Sequence, residues 1–580
     1  MTDDIRWLAV VVAGVLLGSL WAGCRPAAKP TLFTALPSDS TGVTFVNEVA
    51  PSPELHLLNY EYFYNGGGVA IGDVNDDDRP DLFFTGNMTA DRLYVNEGDL
   101  RFRDVTRRAG VAGPDGWATG VTMADVNGDG RLDIYVCRSG WMEDDDPRRN
   151  RLYINQGPAP DGTPRFTEQA AAYGVDAASN STHATFFDYD RDGDLDLYVL
   201  NHPIQRSFRN SVSYTTRAMR RQMTGDKLFR NDGGTFTEVS AASGIASSAP
   251  GFGLSATVSD LNRDGWPDLY VANDFAAPDR IYVNQGDGTF TDEAASWLDH
   301  MSASSMGADI ADINNDGRLD IYTLDMLAED NYRKKLLRVT PGPSNQFMRN
   351  MLHLGRADTV YSEIGQLAGV SNTDWSWAAL LADFDLDGYP DLYVTNGYRR
   401  DYTNLDFLNG VLFGNLDFIK YLETGDERYA DLYGLTQQMP STPIPNYAFR
   451  NTGALRFEDV SAAWGLDARG FSNGAAYGDL DGDGDLDLVV SNINAPALIY
   501  RNEAVQRTGY RYLRIELEGA GGNRQGIGAQ VTVRVPGGAA CYRELQPARG
   551  FQSSVEPALT ERLGLGLGDP LKVGEATFAV

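Results

Sequence analysis

Short runs that alternate apolar and polar residues recur along the chain, and they come in pairs on either side of an acidic loop. Leu132-Asp-Ile-Tyr-Val is typical of the run that leaves such a loop. Alternation with a period of two predicts half-buried strands. A second pair of runs follows five of the loops. It reads Leu93-Tyr-Val-Asn-Glu-Gly with Phe102-Arg-Asp-Val, Leu152-Tyr-Ile-Asn-Gln-Gly with Phe166-Thr-Glu, and Leu228-Phe-Arg-Asn-Asp-Gly with Phe236-Thr-Glu-Val. It continues as Ile281-Tyr-Val-Asn-Gln-Gly with Phe290-Thr-Asp-Glu and Tyr447-Ala-Phe-Arg-Asn with Phe457-Glu-Asp-Val. Each unit therefore holds four strands, and seven acidic loops make seven units. The fold class is all-β, a seven-bladed β-propeller with a calcium loop in every blade.

The loops follow Asp-x-(Asp/Asn)-x-Asp-Gly-x-x-Asp. Carboxylates and amides at alternate positions of a tight loop supply the six to eight hard oxygen ligands that Ca²⁺ takes. The first three sets of candidate ligands are Asp73, Asn75, Asp77 and Asp81; Asp125, Asn127, Asp129 and Asp133; and Asp188, Asp190, Asp192 and Asp196. Next come Asp260, Asn262, Asp264 and Asp268, then Asp312, Asn314, Asp316 and Asp320. The last two are Asp383, Asp385, Asp387 and Asp391, and Asp479, Asp481, Asp483 and Asp487. Up to seven structural Ca²⁺ ions are expected. Gly130 and its equivalents permit the positive φ that folds each loop, whereas the first loop carries Asp78 there.

After the last loop the chain offers Leu488-Val-Val and Leu498-Ile-Tyr-Arg-Asn but no Phe-x-Asp/Glu strand. Thr44-Phe-Val-Asn-Glu-Val has the missing pattern, so the N-terminal segment is expected to complete the seventh blade and remove its open edge. On these loops and strands, residues 41 to about 503 resemble the FG-GAP/VCBS-repeat propellers related to the head of integrin α chains, and more closely the family that includes cartilage acidic protein. Tyr512-Leu-Arg-Ile-Glu-Leu-Glu-Gly and Asn523-Arg-Gln-Gly-Ile-Gly-Ala-Gln-Val-Thr-Val look like the opening of an ASPIC/UnbV domain, a small β domain over residues 510–580. That region lacks the Trp-Pro-containing final strand which the resemblance implies.

The formal charge of −31 would fall to −17 with seven Ca²⁺ bound. Such acidity argues against nucleic acid as a partner, because phosphate binding needs a basic surface. A salt-adapted proteome is the other source of such a composition. Residues 1–23 read as a signal peptide: Trp7 to Gly23 is an apolar run ending in Leu20-Trp-Ala-Gly-Cys24, which looks like a bacterial lipobox, with Cys24 the lipidated residue. An uncleaved membrane anchor is the alternative. Residues 24–40, with Pro26, Pro30 and Pro37, would be a tether holding the protein outside the cytoplasm, at the outer membrane or cell surface of a bacterium. Cys137 and Cys541 are expected to be unpaired, buried small residues.

Long connections fall at 138–150, 201–226, 325–345 and 396–445. Antiparallel order places them on the face opposite the aspartate loops, where a rigid frame usually presents binding residues. Trp117, Trp141, Tyr214, Trp375, Trp377, Tyr398 and Tyr402 lie there, with Arg399, Arg400 and Asp401 beside them. Exposed rings among guanidinium and carboxylate groups suit a glycan or an extracellular protein. The alternative is that the rings pack the inserted segment onto the propeller. Arg206, Arg209, Arg217, Arg220 and Arg221 form a patch for an acidic partner or a solvated face. His183, His202 and His300 are expected in connections on that face, and no zinc, nucleophile-elbow or phosphate-loop motif is present. A non-catalytic adhesion or binding module is therefore expected. A polysaccharide lyase or hydrolase on the insertion face, or a component of a surface assembly, are the alternatives.

Overall fold

The computed structural model describes residues 30–580 apart from 114–115, 141–145, 203–224, 246–250, 276, 338–344, 358, 425, 430, 520, 535–539, 564–569, 574–575 and 580. The signal segment, Cys24, Trp141, Tyr214 and the five arginines from Arg206 to Arg221 lie outside these residues. Seven antiparallel sheets of the propeller succeed one another in chain order. Blade two is representative, with strands Trp117–Ala124, Asp133–Ser139, Arg151–Pro158 and Pro164–Glu168 in sequential order. Blade five departs in sequence, because its third strand is Met351–Ala357 and lacks the Tyr-x-Asn signature. It pairs antiparallel with Asp320–Thr323 of the same blade, and Met351 to Gly355 are buried, so pairing and burial place the strand without the motif.

The ring closes through the N-terminal segment, but a different stretch does it. Phe33–Leu36 pairs antiparallel with Leu498–Asn502 and becomes the outer strand of blade seven. Thr44 to Val49, the expected strand, contributes only the isolated bridges Val46 to Pro496 and Asn47 to Ile493. The propeller thus begins within the stretch 24–40 expected to be tether. The reason is packing: Phe33 is 1% exposed and seats between Phe384 and Trp464, at ring separations of 6.1 and 6.2 Å. Alternation alone could not rank the two stretches.

The C-terminal region packs on the aspartate-loop face and sends a hairpin down the axis of the ring. The pairs Arg511–Ile515 with Leu559–Leu563 and Gln530–Arg534 with Ala540–Glu544 form its outer part. The hairpin strands Ala548–Arg549 and Ser553–Ser554 join the sheet of blade one, where Ser554 lies beside Ala70. Its backbone meets the other inner strands through Val121 N to Gln552 O (3.1 Å), Ser255 Oγ to Gly550 O (2.7 Å), Gly550 N to Ala308 O (3.2 Å) and Glu556 N to Tyr477 O (3.2 Å). Ser553 O lies 3.4 Å from His183 Nε2, and Phe551 packs on Trp377 at 5.0 Å. All seven blades therefore touch one hairpin. Gly68 is obligatory at this contact, since a Cβ there would sit 1.7 Å from Gln552 O.

The opposite mouth of the channel is covered by the N-terminal chain. Tyr60, Phe63 and Tyr64 are buried across it, against Trp117 of blade two and Tyr398 of blade six. One buried ion pair anchors the hairpin: Arg549 Nη1 donates to Asp309 Oδ1 at 2.7 Å and to Ile310 O at 3.0 Å. Removing one partner of such a pair strands the other charge. Arg549→Ala is expected to lower unfolding free energy by about 3–5 kcal/mol in urea denaturation; a change within error would show that the hairpin does not tie the ring.

Candidate functional site

Each aspartate loop is built on the same hydrogen bonds. The first aspartate caps the loop, as Asp125 accepts from Asp129 N at 3.1 Å and Gly130 N at 2.7 Å. Position six has positive φ throughout, from 62° at Asp78 to 96° at Gly388. Asp78 thus adopts the conformation of the glycines it replaces, which Asp tolerates better than most residues. The fourth position is also left-handed, including Arg191, Arg263, Asn315 and Leu386, each with φ between 56 and 61°. No signal for that was read from the sequence.

The ninth position does different work. Asp133 Oδ2 accepts from Val126 N at 3.1 Å and Oδ1 from Asn155 N at 2.7 Å, which joins the loop to the end of the third strand. Asp81, Asp196, Asp268, Asp320, Asp391 and Asp487 repeat the arrangement. Burial pushes the carboxyl of Asp133 up to about 7 and those of Asp196 and Asp268 up to about 8, while the two N–H donors hold them down.

The asparagine of the Tyr-x-Asn strand staples neighbouring blades. Asn155 Nδ2 donates to Val74 O of blade one (2.9 Å), Asn231 to Val126 O (3.3 Å) and Asn284 to Tyr189 O (2.8 Å). Asn451 reaches Ile313 O, Asn502 reaches Phe384 O and Asn96 reaches Leu480 O, each at 2.8 Å, so the last staple runs across the closure. Blade five has Gly355 in that place, whose N–H still reaches Asp320.

A hard divalent cation fits this donor set, which is all oxygen. Carboxylate oxygens of Asp188, Asp190 and Asp196, of Asp383, Asp385 and Asp391, and of Asp479, Asp481 and Asp483 lie within 4.8 Å of one another. These three loops are the ones with Asp rather than Asn at position three. Buried acceptors also go without a partner in the loops: Asn75 Oδ1, Asp190 Oδ1, Asp479 Oδ1 and Asp481 Oδ1. An unpaired buried acceptor costs about 1–3 kcal/mol, and a cation would satisfy it. Burial and the neighbouring carboxylates push Asp188 and Asp481 up to about 6.

The insertion face corrects the expected ligand site. Trp117, Trp375, Trp377 and Tyr398 are buried, at 1, 3, 1 and 5% exposure, rather than presented to solvent. Trp375 and Tyr398 stack face to face at 4.2 Å, and Trp377 Nε1 donates to Gly397 O at 2.8 Å. Tyr398 also donates to Glu61 O at 3.2 Å. Their faces are taken by the N-terminal segment and by each other, so the packing alternative holds. Arg400 donates to Met439 O (3.2 Å) and Gln437 Oε1 (3.1 Å), and Asp401 accepts from Thr403 N (3.1 Å). Both fasten the inserted segment. Arg399 is half-buried over the Phe471 ring at 6.0 Å. His183 lies on the strand Ser181–Phe187, not in a connection, and burial lowers its imidazole to about 4. Cys137 is buried and Cys541 half-buried, and no disulfide joins them. Exposed apolar side chains occur instead on the helical part of the insertion: Phe413 at 44%, Leu416 at 75% and Tyr429 at 39%. The insertion carries no helix signal as strong as the strand repeats, so these side chains fall outside the residues expected from sequence.

The geometry defines a closed seven-bladed propeller carrying FG-GAP-like repeats. The FG-GAP-like repeat family matches residues 73–136, 141–199, 218–271 and 260–323, and the ASPIC and UnbV family matches residues 519–575. The chain is similar to cartilage acidic protein 1, at 27% identity over 246 residues for the Homo sapiens protein and 26% over 244 residues for that of Mus musculus. The alignments cover 42% of this chain and only 33 and 34% of those relatives. A solved structure described as YCF48 bound to D1 peptide is 7% identical, with a TM-score of 0.39, covering 82% of this chain and 96% of that one.

Asp133→Asn is expected to cost about 1–3 kcal/mol, because an amide oxygen serves one of the two N–H donors and leaves the other unpaired. Urea unfolding in chelator is the measurement, since cation binding cannot then contribute; wild-type stability there would refute the latch role.

Proposed function

We propose that this protein is a calcium-stiffened, non-catalytic adhesion or binding module, exported and held at a membrane surface through Cys24. The observation that carries the reading is that both mouths of the axial channel are filled by the chain itself. The ring then serves as a rigid frame, and its long second-to-third connections supply the variable surface.

Calcium would be held by positions one, three, five and nine of the loops, from Asp73 to Asp487. It would neutralise clustered carboxylates and occupy the acceptors that lack donors. The residues themselves set the loop geometry through backbone hydrogen bonds, so the ion meets a nearly formed site and the far face stays preorganised. Chelation is expected to lower the melting temperature, and excess Ca²⁺ to restore it, as binding to the native state alone requires. Asp190→Ala should reduce the calcium-dependent part of the shift. A melting curve indifferent to chelator would remove calcium from the account.

The direction in which the chain reaches blade seven supports the outward orientation. Phe33 pairs with Asn502 at the aspartate-loop end of its strand, and Arg507 Nη1 donates to Pro30 O at 2.9 Å. An anchor upstream would therefore hold the aspartate-loop face and the C-terminal domain toward the membrane, with the insertion face outward. Leu416 and Phe413 on that outward face favour a protein partner, since apolar side chains of this kind anchor interfaces. A glycan is the other reading. Leu416→Asp is expected to abolish cross-linking to a surface protein on intact cells without changing the melting temperature. Retardation in polysaccharide gels, undiminished by that change, would favour the glycan.

A further inference from the structure

The residue before the stapling asparagine is arginine in three blades: Arg230 in blade three, Arg450 in blade six and Arg501 in blade seven. These are also the blades whose loops carry Asp at position three. What each arginine does depends on the residue after the asparagine. Asp232 follows in blade three, and Arg230 donates to it through Nε and Nη2, at 3.0 Å each. Glu503 follows in blade seven and accepts from Arg501 Nη2 at 3.2 Å. Blade six has Thr452 there, which offers no charge. Its arginine turns to the loop instead: Arg450 Nε donates to Asp385 Oδ2 at 2.7 Å, and Nη2 to Asp387 Oδ2 at 2.8 Å. The guanidinium therefore bridges positions three and five of loop six, two of its four candidate calcium ligands. In loop three the matching Asp190 Oδ1 has no hydrogen-bond partner among the described residues.

We propose that Arg450 is a tethered cation that closes loop six without metal, so that calcium fills loop three well before loop six. The proposal rests on the calcium reading of the loops and adds a ranking to it. Both loops offer four aspartates at positions one, three, five and nine, so ligand number does not separate them. The guanidinium does. Its planar fork makes two charge-assisted hydrogen bonds in fixed geometry, and its charge persists at any pH the fold survives. A divalent ion drawing on Asp385 and Asp387 must displace both bonds or share the carboxylates with a positive charge. Either route costs affinity. The Arg450 side chain is 43% exposed, so the exchange is opposed but not blocked. Blade six carries the 396–445 insertion, and it thereby keeps its loop closed when calcium is scarce.

Calorimetric titration of the full chain with Ca²⁺ after chelator treatment, with bound ions counted by native mass spectrometry, tests the proposal. Arg450→Gln is expected to strengthen one site about tenfold, as removal of a unit charge beside a divalent ion implies. Asp385→Asn on that background should abolish the gain, which locates it in loop six. In the otherwise wild-type chain, Asp190→Asn should remove a site that fills at lower Ca²⁺ than any removed by Asp385→Asn. Thr452→Glu supplies the acidic neighbour present in blades three and seven, and it serves if Arg450→Gln fails to fold. It should draw Arg450 off the loop and give a similar gain, yet add little where Arg450 is already Gln. In chelator, Arg450→Gln should lower the melting temperature and saturating Ca²⁺ should restore it, whereas loss of a merely structural ion pair would leave the deficit in place. Binding unchanged or weakened in both Arg450→Gln and Thr452→Glu, while other loops still take calcium, would overturn the proposal and leave the calcium reading standing. No calcium bound by wild type or variants would overturn both.

Discussion

The structure depends on a buried carboxylate that accepts two backbone N–H groups. At the ninth position of every loop an aspartate joins the loop to the end of the third strand of its own blade, and in six blades the asparagine at that strand end reaches the preceding blade. A hydrogen bond to a charged group contributes about 1.5–3 kcal/mol. Repeated around the ring, this pair of side chains fixes the pitch between blades, and the rest of the molecule is arranged on it. The seventh staple is absent at Gly355, where the third strand also loses its motif.

A ring of blades leaves an axial channel lined by the inner strands, and this chain fills it from both ends. From one end the C-terminal hairpin brings Arg549 to Asp309 and backbone groups to each inner strand. From the other, the N-terminal segment brings Tyr60, Phe63 and Tyr64 over the mouth. The two plugs communicate through Trp377, which packs on both Phe551 and Tyr398. Because one plug lies between the closing strand and blade one and the other follows blade seven, both flanking segments of the chain depend on the ring. The C-terminal domain is thus an integral part of the fold.

The acidity of the chain has a local meaning. Its aspartates are concentrated where several carboxylates share a few ångströms, and burial raises their affinity for protons. A compact chain of charge −31 would otherwise repel itself. Divalent cations at these loops would relieve that repulsion and the unpaired acceptors together, a more economical arrangement than protonation.

Repetition made most of the frame legible. Period-two strands and a nonapeptide in seven copies determine blade number, strand order, the place of the acidic loops and the need for a closing strand, because each is a local pattern copied in register. What the sequence could not rank were contacts between distant segments. Phe33–Leu36 rather than Thr44 to Val49 closes the ring because Phe33 finds a pocket between Phe384 and Trp464. Trp375 and Tyr398 read as a binding surface from their loop positions, yet tertiary packing turns them inward beneath residues some 337 positions earlier. The channel plug follows from the same limit: burial belongs to the assembled ring, and a residue's own neighbours in sequence do not determine which face of it will be covered.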